Sequence, residues 1–220
     1  MPRQSPSLDA ATPERIAETA LRIIEDEGPQ ALSFRSVAAQ LDIAHASLQR
    51  RCRDFTGLID MCMDHLAMQL PEVAPDTPWA VATETRFRAM YRLLVDHAGL
   101  ASLRGARPWL GRNLLTRLVE PQLAANIAAG MTPAEAISTY RQMTLLTLGC
   151  TGFVDFNDPR NTQLSTRTAL AALDPQEYPV LTGNLDIITT LVVDHDVYYT
   201  ALRRLIAGAD PGAAHLRNNP

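Results

Sequence analysis

Lysine is absent: all 20 basic residues are arginine, set against 24 acidic ones for a formal net charge of −4. The missing lysine reads as genome composition rather than selection, although arginine is the better side chain for bidentate contacts. The acidic balance removes bulk charge as an argument for nucleic-acid binding. Cysteine is sparse too. Cys52, Cys62 and Cys150 are an odd set without zinc-ligand spacing, which predicts reduced thiols in a cytoplasmic protein. No apolar run approaches the roughly 20 residues that span a bilayer. The start, Met-Pro-Arg-Gln-Ser-Pro-Ser, lacks the hydrophobic stretch of a secretory signal, so no membrane partner is expected. Strand alternation and internal repeats are missing, as are a nucleophile elbow, a phosphate-binding glycine loop and an HExxH motif. Asp194-His195-Asp196 is the most chemical-looking triplet, but successive helical residues point about 100° apart and cannot converge. His195 therefore reads as an interface or surface histidine, and no enzyme, cofactor or metal site is expected.

What is present is 46% hydrophobic and 20% charged residues over 220 positions, a globular balance with enough chain for a real core. The most informative stretch runs from Leu32 to Phe55. Ser33 caps a helix whose apolar positions, Phe34, Val37, Ala38 and Leu41, fall at i, i+3, i+4 and i+7. Asp42-Ile43-Ala44 interrupts it. A second helix from about Ala44 to Arg51 keeps only Leu48 clearly apolar, its other positions being polar or basic. A packing helix, a turn and a polar helix make a helix-turn-helix, whose second helix enters the DNA major groove; a helical hairpin with a solvated face is the alternative. Residues 35–53 carry Arg35, Arg50, Arg51 and Arg53 against Asp42 alone. Such a local basic face can act on an acidic protein because screening limits distant charges to about 8–10 Å.

Around this motif the chain reads as all-α. Residues 1–11 read as a disordered arm. Thr12-Pro13 opens a helix that runs to about Glu27 and stops at Gly28. Asp54 caps a fourth helix from about Thr56 to Leu70, and Pro71, Pro75 and Pro78 then punctuate the chain. Further helices are predicted near 79–97, 100–106, 108–129, 133–155 and 185–207, with a capping box at Thr132-Pro133-Ala134-Glu135. The stretch 156–184 reads as a long connection with one short helix from about Ser165 to Leu173. The organisation expected is an arm (1–11), a DNA-binding head (12–55), a connecting helix with a ligand-binding and dimerisation body (56–208), and a disordered tail (209–220).

At these residues the chain resembles the TetR family of one-component regulators over nearly its whole length. The head carries the family spacing in Ala20-Leu21, Gly28, Leu32-Ser33-Phe34-Arg35, Ala38-Ala39-Gln40-Leu41, Leu48 and Leu58. The body resembles the tetracycline repressor-like C-terminal domain at Gly105-Ala106-Arg107-Pro108 and Thr147-Leu148-Gly149-Cys150. Departures are as telling. The usual Gly-Val before the reading helix is Asp42-Ile43, and the usual Leu-Tyr-x-His-Phe is Leu48-Gln49-Arg50-Arg51-Cys52, with Phe55 where a Lys is common. The positions that hold a magnesium–drug complex in the tetracycline repressor become Leu103, Ala106 and Phe153, which offer no oxygen ligand. A drug-contacting Gln is retained as Gln122.

The resemblance and the chemistry together imply a repressor that binds a near-palindromic double-stranded operator as a homodimer. A small, largely apolar or aromatic effector would release it. Arg35, His45, Ala46, Ser47, Gln49 and Arg50 are the candidate base readers, and Arg51, Arg53 and the backbone near Thr56 are the candidate phosphate contacts. Effector candidates are His65, Met68, Phe87, Met90, Leu103, Ala106, Trp109, Asn113, Gln122 and Phe153, a mixture of apolar walls and polar anchors. The helices near 133–155 and 185–207 would dimerise. The rival reading is a helical small-molecule- or partner-binding protein whose DNA-reading head has degenerated.

Overall fold

A computed structural model of the chain describes residues 11–105, 110–153 and 158–210, with only the backbone of Phe153. Every regular element within them is helical. Helix α1 (Pro13–Glu27) starts where its signals place it. Thr12 Oγ1 accepts from Arg15 N at 3.3 Å, and Gly28 at φ 87° ends the helix with its N–H on Ile24 O. Its buried face is Ile16, Ala17, Ala20 and Ile23. Ala11, assigned to the arm from sequence, is buried. After a 3-10 turn (Pro29–Ala31) come α2 (Phe34–Leu41), α3 (His45–Cys52) and α4 (Phe55–Ala67), the last ending before the predicted Leu70.

Beyond these lie α5 (Trp79–Asp96), α6 (Ala98–Arg104), a single turn α7 (Arg112–Leu114), and α8 (Glu120–Ala128). A π-helical turn, Leu115–Val119, joins the last two. Pro121, the second residue after Val119, has no N–H to give and crowds the carbonyl four residues back, within the turn. Helix α9 (Pro133–Phe153) starts on its capping box, with Glu135 Oε2 accepting from Thr132 N at 2.8 Å. Helices α10 (Pro159–Ala171), α11 (Pro179–Gly183), α12 (Leu185–Leu191) and α13 (His195–Ala209) complete the order.

Two expectations need correction here. The connection at 156–184 is more helical than predicted, because Asp158 accepts from Asn161 N at 3.0 Å and Pro159 occupies the first turn. The single helix predicted at 185–207 is two. Asp194 leaves helical geometry (φ −83°, ψ 115°) and its carboxylate accepts from Asp196 N at 2.8 Å, capping α13. Ala209, assigned to the tail, is the last residue of α13.

The chain divides into two compact units that are discontinuous in sequence: Met1–Glu72 with Asp96–Pro121, and Val73–Val95 with Gln122–Pro220. The boundary expected after residue 55 is not where packing divides. Leu58, Ile59, Cys62, Met63 and Leu66 of α4 are buried, and α4 packs on α1, α6 and α7 within the first unit. Asp64 caps α7, accepting from Asn113 N at 2.7 Å. In the second unit Tyr91 and Tyr198 stack at 3.8 Å. Tyr198 Oη donates to Phe87 O at 3.0 Å and meets Thr147 Oγ1 at 2.9 Å, tying α5, α9 and α13 together. No helix among the described residues is long and apolar enough to cross a membrane.

Candidate nucleic-acid interface and effector residues

The reading face is built from α2 upward. Ser33 and Ser36 cap reciprocally, Ser36 N donating to Ser33 Oγ at 3.0 Å and Ser33 N to Ser36 Oγ at 2.9 Å. Ser36 Oγ also reaches Ala31 O at 2.9 Å. This fixes the first turn of α2, where Arg35 is exposed. At the other end Asp42 takes the left-handed conformation (φ 52°, ψ 46°). Its N–H bonds Ala39 O at 3.3 Å and that of Ile43 bonds Ala38 O at 3.1 Å, the Schellman pattern. The position where relatives commonly place Gly therefore keeps the same turn, because Asp is among the few side chains that tolerate it.

Helix α3 anchors itself by Leu48 and Cys52, which are buried, and presents the rest. His45, Ala46, Gln49, Arg50 and Arg51 are exposed and Ser47 is half-exposed. The His45 ring sits edge-on to Phe34 at 5.9 Å, and Arg50 Nη2 lies 3.4 Å from Ser47 Oγ. Arg53 then adopts φ 67°, ψ −62°, with Asp54 N on Cys52 O at 2.8 Å. This is a positive-φ γ-turn, costing about 1–3 kcal/mol in a non-glycine residue. It starts α4 at once and leaves Arg53 and Thr56 exposed beside α3. A Cβ on Gly57 would fall 2.0 Å from the Cys52 carbonyl oxygen, so only glycine fits this junction. Asp54 Oδ1 accepts the Gly57 amide at 2.8 Å, which occupies one of the donors expected to serve phosphate. Burial pushes the Cys52 thiol up and that of Cys62 to about 12, so both thiols are packing groups. Eight of the nine DNA candidates are exposed on the α2–α3–α4 segment of the first unit and Ser47 is half-exposed.

The effector candidates divide between the units. In the first, His65 and Leu103 are half-buried and Met68 is 41% exposed. The Glu14 carboxyl on α1 is held below its ordinary range by its own backbone amide first and the Thr12 hydroxyl next, with His65 and Arg51 among the smaller contributions. Asn113 Nδ2 donates to Asp64 O at 3.1 Å, so its amide helps join α7 to α4. In the second unit Phe87 and Met90 are buried core residues. Gln122 is fully buried and deeply engaged. Its Nε2 donates to Thr83 Oγ1 and Asn126 Oδ1, both at 2.8 Å, and its Oε1 accepts from Arg86 Nη1 at 3.2 Å. Asn126 in turn accepts from Trp79 Nε1 at 2.8 Å and donates to Ala136 O at 3.0 Å. Ala106 and Trp109 lie outside the described residues, as does the Phe153 side chain.

Arg86, Thr83 and Asn126 escaped the sequence reading, although a signal existed. Thr83, Arg86, Phe87, Met90, Tyr91 and Leu94 are all buried and follow the helical stripe of α5; an arginine on that stripe is an inward arginine. His195 is exposed, as expected from sequence, with Nδ1 2.8 Å from Tyr91 Oη. Among the described residues no group of three or more His, Cys, Asp or Glu is placed to hold a metal ion.

Comparison with known proteins agrees with this architecture. Residues 70–210 match the family model described as the tetracyclin repressor-like C-terminal domain. An HTH-type transcriptional regulator of Saccharopolyspora erythraea is 26% identical over 187 residues, covering 83% of this chain and 78% of that protein. The HTH-type transcriptional repressor DrrR1 of Streptomyces coeruleorubidus is 31% identical over 131 residues; the match spans 58% of this chain and about half (47%) of that protein. Among solved structures, the Streptomyces coelicolor TetR family protein ActR in complex with actinorhodin superposes with a TM-score of 0.77 at 26% identity. That match covers 92% of this chain and 98% of ActR.

Proposed function

The chain belongs to the TetR family of transcriptional regulators, and from that premise we propose that it is a ligand-responsive repressor acting on a near-palindromic operator as a homodimer. The observation that carries the reading is α3 itself: Leu48 and Cys52 hold it inward while His45, Gln49, Arg50 and Arg51 stand outward on one short helix. Such a helix offers Arg for guanine, Gln for adenine and the Ala46 methyl for thymine. Arg53 and Thr56 flank it for phosphate. Three arginines in four residues compensate for the missing tyrosine and lysine of the family pattern.

Dimerisation finds support in the second unit. Helices α9 and α13 pack together, with Thr147 Oγ1 2.9 Å from Tyr198 Oη, yet leave Ile137 58%, Leu145 53% and Val197 49% exposed. Apolar side chains of that size on paired helices suit a two-fold bundle with a second copy. The effector is inferred to be small and largely apolar or aromatic. ActR in complex with actinorhodin supports a small-molecule effector by analogy.

The test is a titration of purified protein into labelled intergenic DNA beside its own gene, at several salt concentrations, against scrambled DNA. Specific, saturable binding with a steep salt slope is the expected result. An Arg50→Ala, Arg51→Ala variant should lose that affinity while keeping its fold. Absence of binding at low salt would replace this reading with a helical ligand-binding protein whose head no longer reads DNA.

A further inference from the structure

We propose that Arg86 is the anchor for an acidic group on the effector, so that the molecule sensed is an aromatic carboxylate rather than a neutral apolar compound. The inference rests on the ligand-responsive reading above and narrows its ligand class. Arg86 is 7% exposed on the inward stripe of α5. A guanidinium carries five N–H donors and stays charged in proteins. The bond it makes among the described residues is to a neutral amide, Gln122 Oε1 at 3.2 Å. No carboxylate among the described residues lies within ion-pair distance of it. Glu84, two residues earlier, serves Arg88 at 3.0 Å and Arg203 at 3.7 Å.

Burying a cation without an anion is costly, and replacing it with an apolar residue usually stabilises. The surroundings nevertheless hold it in place. Gln122 is locked in one amide orientation by Thr83 and Asn126, and Asn126 by Trp79 and the Ala136 carbonyl. Each member of that chain turns the Gln122 oxygen toward Arg86 and leaves the remaining guanidinium donors uncommitted. A planar fork of donors suits a carboxylate, which accepts two parallel bonds. Phe87 and Met90, adjacent to Arg86 and one turn beyond it, are 0% and 2% exposed, an apolar setting suited to the hydrocarbon part of such an acid.

The experiment compares 9-anthracenecarboxylate with 9-anthracenecarboxamide, which have nearly the same shape and differ in charge. Binding of each to the full chain is measured by calorimetry, with release of bound DNA as a second readout. Wild type should bind the acid about tenfold or more tightly than the amide, the worth of one charged hydrogen-bonded pair. Arg86→Gln, which keeps a donor for Gln122 but removes the charge, should abolish that preference. Equal behaviour of acid and amide in wild type, whether both bind or neither does, overturns the assignment without any variant. So does a preference that survives in Arg86→Gln. If the amide releases DNA as well as the acid does, the ligand-responsive reading stands and the Arg86 assignment falls. If the acid is preferred but never releases DNA, the reverse holds.

Discussion

Between α1 and α4 the buried side chains are Ile16, Ile23, Leu58, Ile59 and Leu66, with Thr19 the one polar exception on α1. Between α5 and α8 the same depth holds Thr83, Arg86, Gln122 and Asn126. The apolar interface tolerates any residue of about the right volume, because its attraction is non-directional. The polar interface does not: each group depends on the geometry of the next, and one deletion strands its partners. The α1–α4 interface is built to hold a shape, although the first unit also buries Arg104 on α6. The α5–α8 interface keeps polar groups at some cost in stability.

The sharpest way to break that contrast is a pair of swaps that both conserve bulk. Gln122→Leu takes the amide donor from Thr83, leaves Asn126 Oδ1 with Trp79 alone and strands the buried Arg86 guanidinium; it should cost about 3–5 kcal/mol. Ile59→Leu, equally buried, should cost less than about 1.5 kcal/mol. Urea unfolding followed by circular dichroism reads both, and similar losses would erase the distinction between the two cores.

The head has its own rigid point, where backbone rather than side chain is in contact. Gly57→Ala sets a methyl against the Cys52 carbonyl, which no rotamer can relieve. About 1–3 kcal/mol of destabilisation is expected, together with weakened DNA binding because α3 and α4 must separate. Unchanged urea midpoint and DNA affinity would mean that the junction is looser than its geometry. Asp42→Gly works in the opposite direction. The left-handed turn costs an L-residue roughly 1–2 kcal/mol, while glycine loses more chain entropy on folding. A net gain below about 1 kcal/mol is expected in the same assay.

These positions also mark what was legible from sequence. Helices α1 and α2 were readable because cap, proline and glycine signals coincide with one apolar period at Thr12-Pro13, Gly28 and Ser33. Helix α10 begins with the same kind of signal, Asp158-Pro159, but a proline-rich setting drew the reading toward a loop. The break before α13 was hidden because the apolar positions continue across Val192 and Val193, while the capping carboxylate of Asp194 acts only locally. The polar core was hidden for a different reason. Charge alone does not mark Arg86 as buried, and its inward direction follows only from the residues one turn either side. Gln122 was readable as a position, whereas two of its three partners, Arg86 and Thr83, come from α5, 36 and 39 residues away in sequence.

The smallest effect belongs to His97, at the start of α6, and it tests whether the first unit penalises a half-buried charge. Burial lowers the pKa of this imidazole, with Asp96 and Glu25 opposing. The unfolded chain therefore takes up the proton more readily, so stability is present above the ordinary histidine pKa of about 6.5 and falls as pH drops through that value. The slope is expected to be shallow, because the residue is only half-buried and two carboxylates oppose the shift. The Glu14 and Glu135 carboxyls, both lowered, lose their contributions only further into acid, so the interval between about pH 7.5 and 5.5 isolates the histidine. Urea midpoints across that interval should fall in wild type and fall less in His97→Gln. Parallel profiles would show that α6 accommodates the imidazolium, and that the first unit resists buried charge no better than the second.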